Sequence, residues 1–257
     1  MEIPRFLTPT SKPFNPIELA EATEKIILRQ TNESWERKYT AIYPVGVYRG
    51  IATAYTVGCI LRCYYCWVSL SRDFPEKYGE FMPPEEVVRR LEQVGRKYRY
   101  GGTHKCRISG GEPTLGKDHL LKVLELIDDN DWFNLFIFET NGILLTKEYV
   151  QDLEKFRKVY VRVSLKAGNE TGFEKRTGAI GKYYDLPYKA IEYLSDSSVN
   201  FHVAAMTDSR IMPEEERQAL IKRLENIDER LASNLEEEIV NPYDTTIIRL
   251  KKAGIKI

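Results

Sequence analysis

Three of the four cysteines in this chain fall within eight residues, where Cys59, Cys63 and Cys66 form the pattern C-x₃-C-x₂-C. Such close spacing in a sequence that starts without a recognisable signal peptide favours a metal site over disulfide bonds. Three thiolates in one short loop can hold three corners of an iron–sulfur cube, and the fourth iron is then free to bind a small molecule. We therefore predict that these three cysteines are metal ligands.

Zinc is the main alternative metal, because His104 and Cys106 lie downstream as possible fourth ligands. The cysteine loop follows an apolar run at 51–57 and so begins at the carboxyl end of a predicted strand, whereas His104 precedes the next strand, at 105–109. In parallel neighbouring strands these two points lie about 17 Å apart, at opposite ends of the sheet. We expect His104 to be a solvated turn residue and Cys106 to be a buried, small apolar residue.

A second segment with ligand-binding chemistry, Gly110-Gly111-Glu112, directly follows the predicted strand at 105–109. The two glycines let the backbone approach a ligand closely, and the glutamate can accept hydrogen bonds from an ammonium group. An isolated Gly-Gly-Glu would be read as a turn. Its position one strand–helix unit after the cysteine loop predicts a ligand site.

Together these segments resemble the radical SAM superfamily, whose cluster loop reads C-x₃-C-x-(aromatic)-C, with Tyr65 as the aromatic residue here. The resemblance covers most of residues 51–208. It implies a [4Fe-4S] cluster on the three cysteines, with S-adenosylmethionine bound to the free iron through its amino and carboxylate groups. It also implies that Tyr65 packs on the adenine and that the Gly110-Gly111-Glu112 segment binds the methionine amino group.

Two further strand ends, Glu139-Thr-Asn-Gly142 and Ser164-Leu-Lys166, are similar to those of the pyruvate formate-lyase activating enzyme group of that superfamily. That group usually has Asp at the first position of the first motif and Asp two places before the lysine, where this chain has Glu139 and Ser164. The resemblance implies cofactor contacts from Thr140, Asn141, Ser164 and Lys166. The ammonium group of Lys166 would offset a carboxylate of the cofactor.

Polar residues alternate with apolar ones along several predicted strands, although a strand buried on both faces should be apolar throughout. In the strand at 158–166, Tyr160, Arg162, Ser164 and Lys166 share one face. The same pattern predicts a barrel whose interior is filled with water or a ligand rather than packed, and a solvated sheet face is the alternative. The residues so placed that could take part in catalysis are Arg107, Arg162, His202 and Asp208.

From residue 51 onward, short β-rich runs alternate with amphipathic helical runs, which is typical of a parallel sheet. We predict an α/β fold: a partial (β/α)6 TIM-like barrel over residues 51–257 with an N-terminal helical extension, residues 1–50, packed on it. The extension contains a predicted helix at 17–30, with Asn15 as N-cap and Pro16 at its first position. The predicted strands are 51–57, 105–109, 133–139, 158–166, 200–206 and 237–240, and the helices are 84–98, 117–128, 147–156, 186–195, 213–232 and 243–253.

The charge and hydrophobicity of the chain indicate which kinds of partner are disfavoured. The chain has 257 residues with 38 basic and 38 acidic side chains, so a net charge of zero gives no overall attraction to nucleic acid or to an anionic membrane. A local basic patch would escape this count, so a nucleic-acid partner is disfavoured but stays open. No apolar run approaches the ~20 residues that span a bilayer, and we expect a cytoplasmic protein without a membrane partner. Because only Cys106 remains outside the loop, we expect no cysteine-ligated auxiliary cluster.

The resemblance implies that the chain cleaves S-adenosylmethionine reductively, and that the resulting 5′-deoxyadenosyl radical abstracts hydrogen from an unidentified small-molecule or protein substrate. The electron would come from a donor such as ferredoxin or flavodoxin. The loops at 71–83, 167–184 and 207–213 are expected to set specificity. Activation of a glycyl-radical enzyme is an alternative, and an iron–sulfur electron carrier or a zinc-stabilised binding protein is an alternative from another class.

Overall fold

A computed structural model describes residues 3–32, 34–99 and 101–256, so residues 1, 2 and 33 of the predicted extension lie outside it. One sheet of nine strands runs through these residues in the order β1-β2-β3-β5-β6-β7-β8-β9, with β4 paired to β2. The strands are β1 (Leu28–Gln30), β2 (Trp35–Val45), β3 (Ile51–Thr56), β4 (Glu80–Met82), β5 (Lys105–Gly110), β6 (Leu135–Thr140), β7 (Val159–Leu165), β8 (Asn200–Met206) and β9 (Glu236–Glu238).

Helices connect the strands and cover the outer face of the sheet. They are α1 (Pro16–Ile27), α2 (Pro84–Arg96), α3 (Lys117–Asp128), α4 (Lys147–Leu153), α5 (Glu170–Thr177), α6 (Asp185–Ser195), α7 (Glu214–Ile227), α8 (Glu229–Ser233) and α9 (Asp244–Ala253). Two short 3-10 turns lie at Val47–Arg49 and Gly181–Tyr184. No helix within the described ranges is both long enough and apolar enough to cross a lipid bilayer.

Six strands, from β3 to β9 without β4, pair in parallel, which confirms the predicted α/β fold and partial barrel. The barrel is open, since no pairing joins β9 to β1 in the part of the chain that the structure describes. The apolar faces of the parallel strands are buried against the helices, as the alternation predicts. Val161, Val163 and Leu165 of β7 are all within this core.

Several predicted helices end early: the one expected at 84–98 stops at Arg96 and the one expected at 147–156 stops at Leu153. The helix expected at 17–30 stops at Ile27, because Leu28 turns extended and starts β1, whereas its predicted cap is confirmed: Asn15 Oδ1 accepts a hydrogen bond from the Ile17 amide at 3.0 Å. The helix expected at 213–232 breaks at Asp228, whose backbone is extended. The Asp228 carboxylate then caps α8 by accepting from the Arg230 amide at 2.8 Å. Side-chain capping thus fixes where α1 and α8 begin.

The sequence analysis missed β1, β2, β4 and α5. The largest omission is β2, which pairs antiparallel with β3 and therefore extends the same sheet. Its aromatic and β-branched residues suit a strand, but charged residues interrupt its alternation and a register shift falls between Tyr39 and Ala41. A period-two pattern that slips by one residue gives no clear strand signal.

Candidate active site

A cavity of about 350 Å³ opens at the carboxyl ends of the parallel strands. Ligand sites of open α/β sheets form at this edge because loops from several strands converge there. The structure brings most of the predicted site residues to this cavity. Its lining includes Cys59, Cys63, Tyr65, Cys66, Gly110, Gly111, Glu112, Thr140, Asn141, Arg162, Ser164 and Lys166.

The three cysteines follow β3, and all of them are free thiols. Burial raises the pKa of the Cys59 thiol to about 12 and also raises the pKa of Cys63. A raised pKa favours the protonated thiol, and binding of a metal would release the proton. Among the described residues, no three His, Cys, Asp or Glu side chains converge on one point that could hold a single ion. A cluster with one thiolate on each iron does not need such convergence.

The Gly110-Gly111-Glu112 segment lies directly against the start of the cysteine loop. The Glu112 amide donates to the Gly58 carbonyl at 2.8 Å, and a Cβ on Gly111 would lie 2.0 Å from that carbonyl oxygen. Gly110 has a φ of 92°, a left-handed conformation that favours glycine. Both glycines are therefore required for this close contact between β5 and the loop after β3.

Glu112 joins the ends of β5 and β6. Its carboxylate is 2% exposed and accepts hydrogen bonds from the Thr114 amide (3.2 Å) and hydroxyl (2.7 Å). It also accepts from the Thr140 hydroxyl (2.6 Å), from the Asn141 amide (2.9 Å) and from Asn141 Nδ2. Five donors of the protein thus surround this buried charge and fix both strand ends at the cavity.

The segment also depends on Arg37, which the sequence analysis missed. Arg37 lies on β2, is buried, and donates to the carbonyls of Glu112 (2.6 Å), Pro113 (2.7 Å) and Leu115. A basic residue within a charged run of a strand gives no sequence signal for such a role.

One wall of the cavity is an ion-pair network between β7 and β9. Arg162 donates to both oxygens of Glu236 (2.9 and 2.8 Å) and to Glu238 (2.9 Å), and the Ser164 hydroxyl donates to Glu238 at 2.7 Å. Lys166 Nζ donates to Ser164 Oγ at 2.5 Å. Hydrogen bonds from His202 and Arg162 lower the pKa of Glu236 to about 2. Burial opposes ionisation of Glu238, but the charges of Lys166 and Arg162 outweigh it and lower its pKa.

A second ion pair lies between β5 and β6. Arg107 Nη1 donates to Glu139 at 2.6 Å, and the same carboxylate accepts from the hydroxyls of Ser109 (2.6 Å) and Tyr48 (3.0 Å). Glu139 lines the cavity. Arg107 also donates from Nε to the Thr53 hydroxyl at 2.9 Å, and this second bond fixes the guanidinium that pairs with Glu139. Both arginines, Arg107 and Arg162, are therefore already paired with carboxylates of the cavity wall.

The remaining two catalytic candidates lie apart from the cavity lining. His202 pairs with Glu236 at 2.9 Å and contacts the Tyr160 hydroxyl at 3.2 Å, near the start of β8. Asp208 accepts from the Val240 amide at 2.8 Å and from Arg210, so it braces the loop after β8. Strand alternation places a residue on the inner face, but it does not fix its depth along the barrel.

His104 and Cys106 lie far from the cysteine loop along the sheet. His104 Nδ1 donates to the Trp132 carbonyl at 2.8 Å, and its side chain is exposed. Cys106 is buried and pairs with Ala52, near the start of β3, whereas the cysteine loop follows the end of β3. Neither residue is placed to complete a zinc site with the three loop cysteines.

The sequence of this chain is similar to a known family and to individual members of it. A family model described as the radical SAM superfamily matches residues 53–227. A probable GTP 3′,8-cyclase of Archaeoglobus fulgidus is 36% identical over 120 residues, which are 46% of this chain and 36% of that relative. One of Methanococcus maripaludis is 34% identical over 156 residues, 60% of this chain and 49% of that relative. The chain thus spans less than half the length of these curated relatives, and their name does not support the predicted link to the pyruvate formate-lyase activating enzyme group.

Solved structures share the fold. Streptococcus suis SuiB bound to its precursor peptide SuiA superimposes with a TM-score of 0.57 at 18% identity, over 74% of this chain and 39% of that one. An anSMEcpe structure with bound AdoMet gives a TM-score of 0.54 at 20% identity, over 73% and 52%. TYW1 with a lysine-pyruvate adduct gives 0.55 at 18% identity, over 79% and 67%.

Proposed function

Because this chain belongs to the radical SAM superfamily, we propose that it binds a [4Fe-4S] cluster and S-adenosylmethionine in the cavity and initiates radical chemistry on a small substrate. The observation that carries the proposal is the meeting of three free cysteines and the Gly110-Gly111-Glu112 segment in one cavity. Both lie within the region that the family model matches. When bound, the cluster supplies the electron that cleaves S-adenosylmethionine into methionine and a hydrogen-abstracting 5′-deoxyadenosyl radical.

The residues present fit these groups. Thiolates are the ligands that iron–sulfur clusters use, and all three thiols border the same space. Tyr65, the aromatic residue of the cysteine loop, borders this space as well.

In this proposal the other residues that line the cavity position S-adenosylmethionine and compensate the charge of its carboxylate. Gly110 and Gly111 bring backbone close to the amino acid part of the cofactor, and Tyr65 gives an aromatic face to its adenine. The Lys166 ammonium offsets a carboxylate. The remaining polar contacts come from the strand ends, at Thr140, Asn141 and Ser164.

The charge of the wall favours a substrate other than the nucleoside triphosphate named for the relatives. A triphosphate is held by free arginines and lysines, whereas Arg107 and Arg162 already pair with Glu139, Glu236 and Glu238. We propose a neutral or cationic small molecule as the substrate and a one-electron donor as the partner. In this proposal residues 1–50 act as an extension of the barrel formed by residues 51–257.

The test is anaerobic reconstitution of the full chain with iron and sulfide, reduction with dithionite, and measurement of 5′-deoxyadenosine and methionine after S-adenosylmethionine is added. We expect both products from the unaltered chain and from Cys106→Ala, which changes the one cysteine outside the loop, and none from Cys63→Ala. Tightly bound zinc without iron would instead identify a zinc-stabilised protein. A cluster that exchanges electrons without binding S-adenosylmethionine would identify an electron carrier. Stimulation by GTP would favour the activity named for the relatives.

A further inference from the structure

Three arginines, one of them within the cysteine loop itself, donate hydrogen bonds to the backbone of that loop. Each of the three cysteine carbonyls accepts a hydrogen bond from the guanidinium of a different arginine. The pairs are Arg62 Nη1 to Cys59 O at 2.7 Å, Arg72 Nη1 to Cys63 O at 2.6 Å, and Arg249 Nη1 to Cys66 O at 2.6 Å. One arginine for each ligand is a more specific arrangement than loop packing requires.

All three arginines are buried, with exposed fractions of 0% for Arg62 and 1% each for Arg72 and Arg249. Taking a charge out of water costs several kcal/mol unless an opposite charge compensates it. Asp73, also fully buried, accepts from Arg72 Nε at 3.0 Å and from Arg249 Nη2 at 2.5 Å. Arg62 has only carbonyl acceptors among the described residues, those of Pro4, Cys59 and Leu61.

The charges beneath the loop therefore do not balance. Three guanidinium groups are accompanied by the single carboxylate of Asp73, so the side chains beneath the loop carry a net positive charge. Three thiolates on an oxidised [4Fe-4S] core would carry a net charge of about −1 and would supply part of the missing negative charge, and one-electron reduction would supply one more. The arrangement is that of an anion site whose anion is the metal-bound loop itself.

We infer that Arg62, Arg72 and Arg249 are positioning residues that compensate the negative charge of the cluster on Cys59, Cys63 and Cys66 and raise its reduction potential. This inference rests on the proposed function. A reduced cluster carries one more negative charge than an oxidised one, so a nearby buried cation stabilises the reduced form. Net charge and hydrogen bonding around an iron–sulfur cluster are known to set its potential.

Arg249 differs from the other two arginines because it lies on α9, 183 positions after Cys66 in the sequence. It also donates to the carbonyls of Val68 at 2.5 Å and Ser69 at 3.0 Å, so it holds the loop beyond the last cysteine. Thr245 of the same helix donates to the Trp67 carbonyl at 2.9 Å. Docking of α9 therefore completes the cluster loop.

The test is a redox titration of the reconstituted full chain, followed by electron paramagnetic resonance of the reduced cluster. Arg249→Gln is expected to lower the ratio of reduced to oxidised cluster about tenfold at a fixed potential, equivalent to a midpoint shift of about −59 mV for one electron. Arg249→Lys keeps the charge and should restore most of the potential. Arg230→Gln removes the same charge from an exposed side chain and should leave the potential unchanged.

A second variant has the opposite sign and does not depend on the folding of Arg249→Gln. Asp73→Asn removes the compensating carboxylate and leaves all three arginines, so the potential should rise. Potentials of Arg249→Gln and Asp73→Asn equal to that of the unaltered chain, at equal iron content, would overturn the inference alone. Absence of a four-iron cluster from the unaltered chain would overturn the proposed function and this inference together.

Discussion

Gly111 shows how one residue type can fix the geometry of a site. A Cβ at this position would lie 2.0 Å from the Gly58 carbonyl oxygen, and neither partner is the end of a flexible side chain that could move away. At this scale the sequence motif and its structural reason coincide: two backbone segments meet too closely for any side chain.

Gly111→Ala is expected to lower the free energy of unfolding by about 1–3 kcal/mol, the usual cost of overpacking, because the backbone must shift. Gly46→Ala is the matched control, since nothing lies within 4 Å of the added Cβ and its φ of −78° suits any residue. Urea unfolding of both variants at neutral pH measures the difference. Equal stability of the two variants would contradict the close contact.

Glu112→Gln replaces one carboxylate oxygen by an amide group that donates rather than accepts. At least one of the donors from Thr114, Thr140 and Asn141 then loses its acceptor, at a cost of about 1–3 kcal/mol. We expect lower stability and weaker binding of S-adenosylmethionine, measured by urea unfolding and by calorimetry on the reconstituted protein. Unchanged cofactor affinity would show that the carboxylate does not position this part of the cavity.

At the scale of elements, a buried histidine joins α3 to β2. His119 Nδ1 donates to the Trp35 carbonyl at 2.7 Å, and its Nε2 accepts from the Tyr39 hydroxyl at 2.9 Å. The neutral ring satisfies both bonds, whereas a protonated ring has no acceptor for the Tyr39 hydroxyl. Burial lowers the pKa of His119 from its ordinary 6.5 to about 4.

This shift predicts a pH dependence of stability. The unfolded chain takes up a proton at His119 near pH 6.5 and the folded chain only near pH 4, so stability is complete above pH 6.5 and falls as the pH drops from 6.5 to 4. The loss due to His119 is about 3 kcal/mol. Urea unfolding between pH 7 and pH 4 should show a flatter profile for His119→Gln. The exposed His104, changed to Gln, serves as control and should keep the slope of the unaltered chain.

At the scale of the whole molecule, residues from both ends of the chain complete the site in its middle. Arg37 of β2 holds the loop after β5, and Arg249 of α9 holds the loop after β3. The edge of the sheet that bears the cavity is therefore supported by segments more than seventy positions away in sequence.

Arg37→Gln is expected to lower the free energy of unfolding by about 1.5–3 kcal/mol, because buried carbonyls lose charged donors. It should also weaken binding of S-adenosylmethionine. Arg29→Gln removes an arginine from the neighbouring strand whose side chain is 55% exposed in its pair with Glu36, and it should change stability by less than about 1 kcal/mol. Thermal unfolding and calorimetry distinguish the two. Equal effects of both variants would contradict a specific role for Arg37.

The sequence by itself determined the grouping of three cysteines in one loop, the Gly-Gly-Glu segment after the next strand and the alternation of strands and helices, because these depend on spacing between near neighbours. The bounds of α3 and β8 followed from periodicity alone. The polar face of β7 followed in the same way, since strand geometry fixes the side on which each residue lies.

The tertiary structure decided which polar groups meet. It placed Arg162 at the cavity and His202 and Asp208 away from it, although all three were predicted on or beside the inner face. It brought the glutamates of β9 to the wall, and it set three arginines beneath three cysteines. Most of these contacts, such as those of Arg162 with Glu236 and of Arg249 with Cys66, join residues distant in sequence. They depend on depth along the barrel, on register and on helix docking, none of which leaves a periodic signal in the chain.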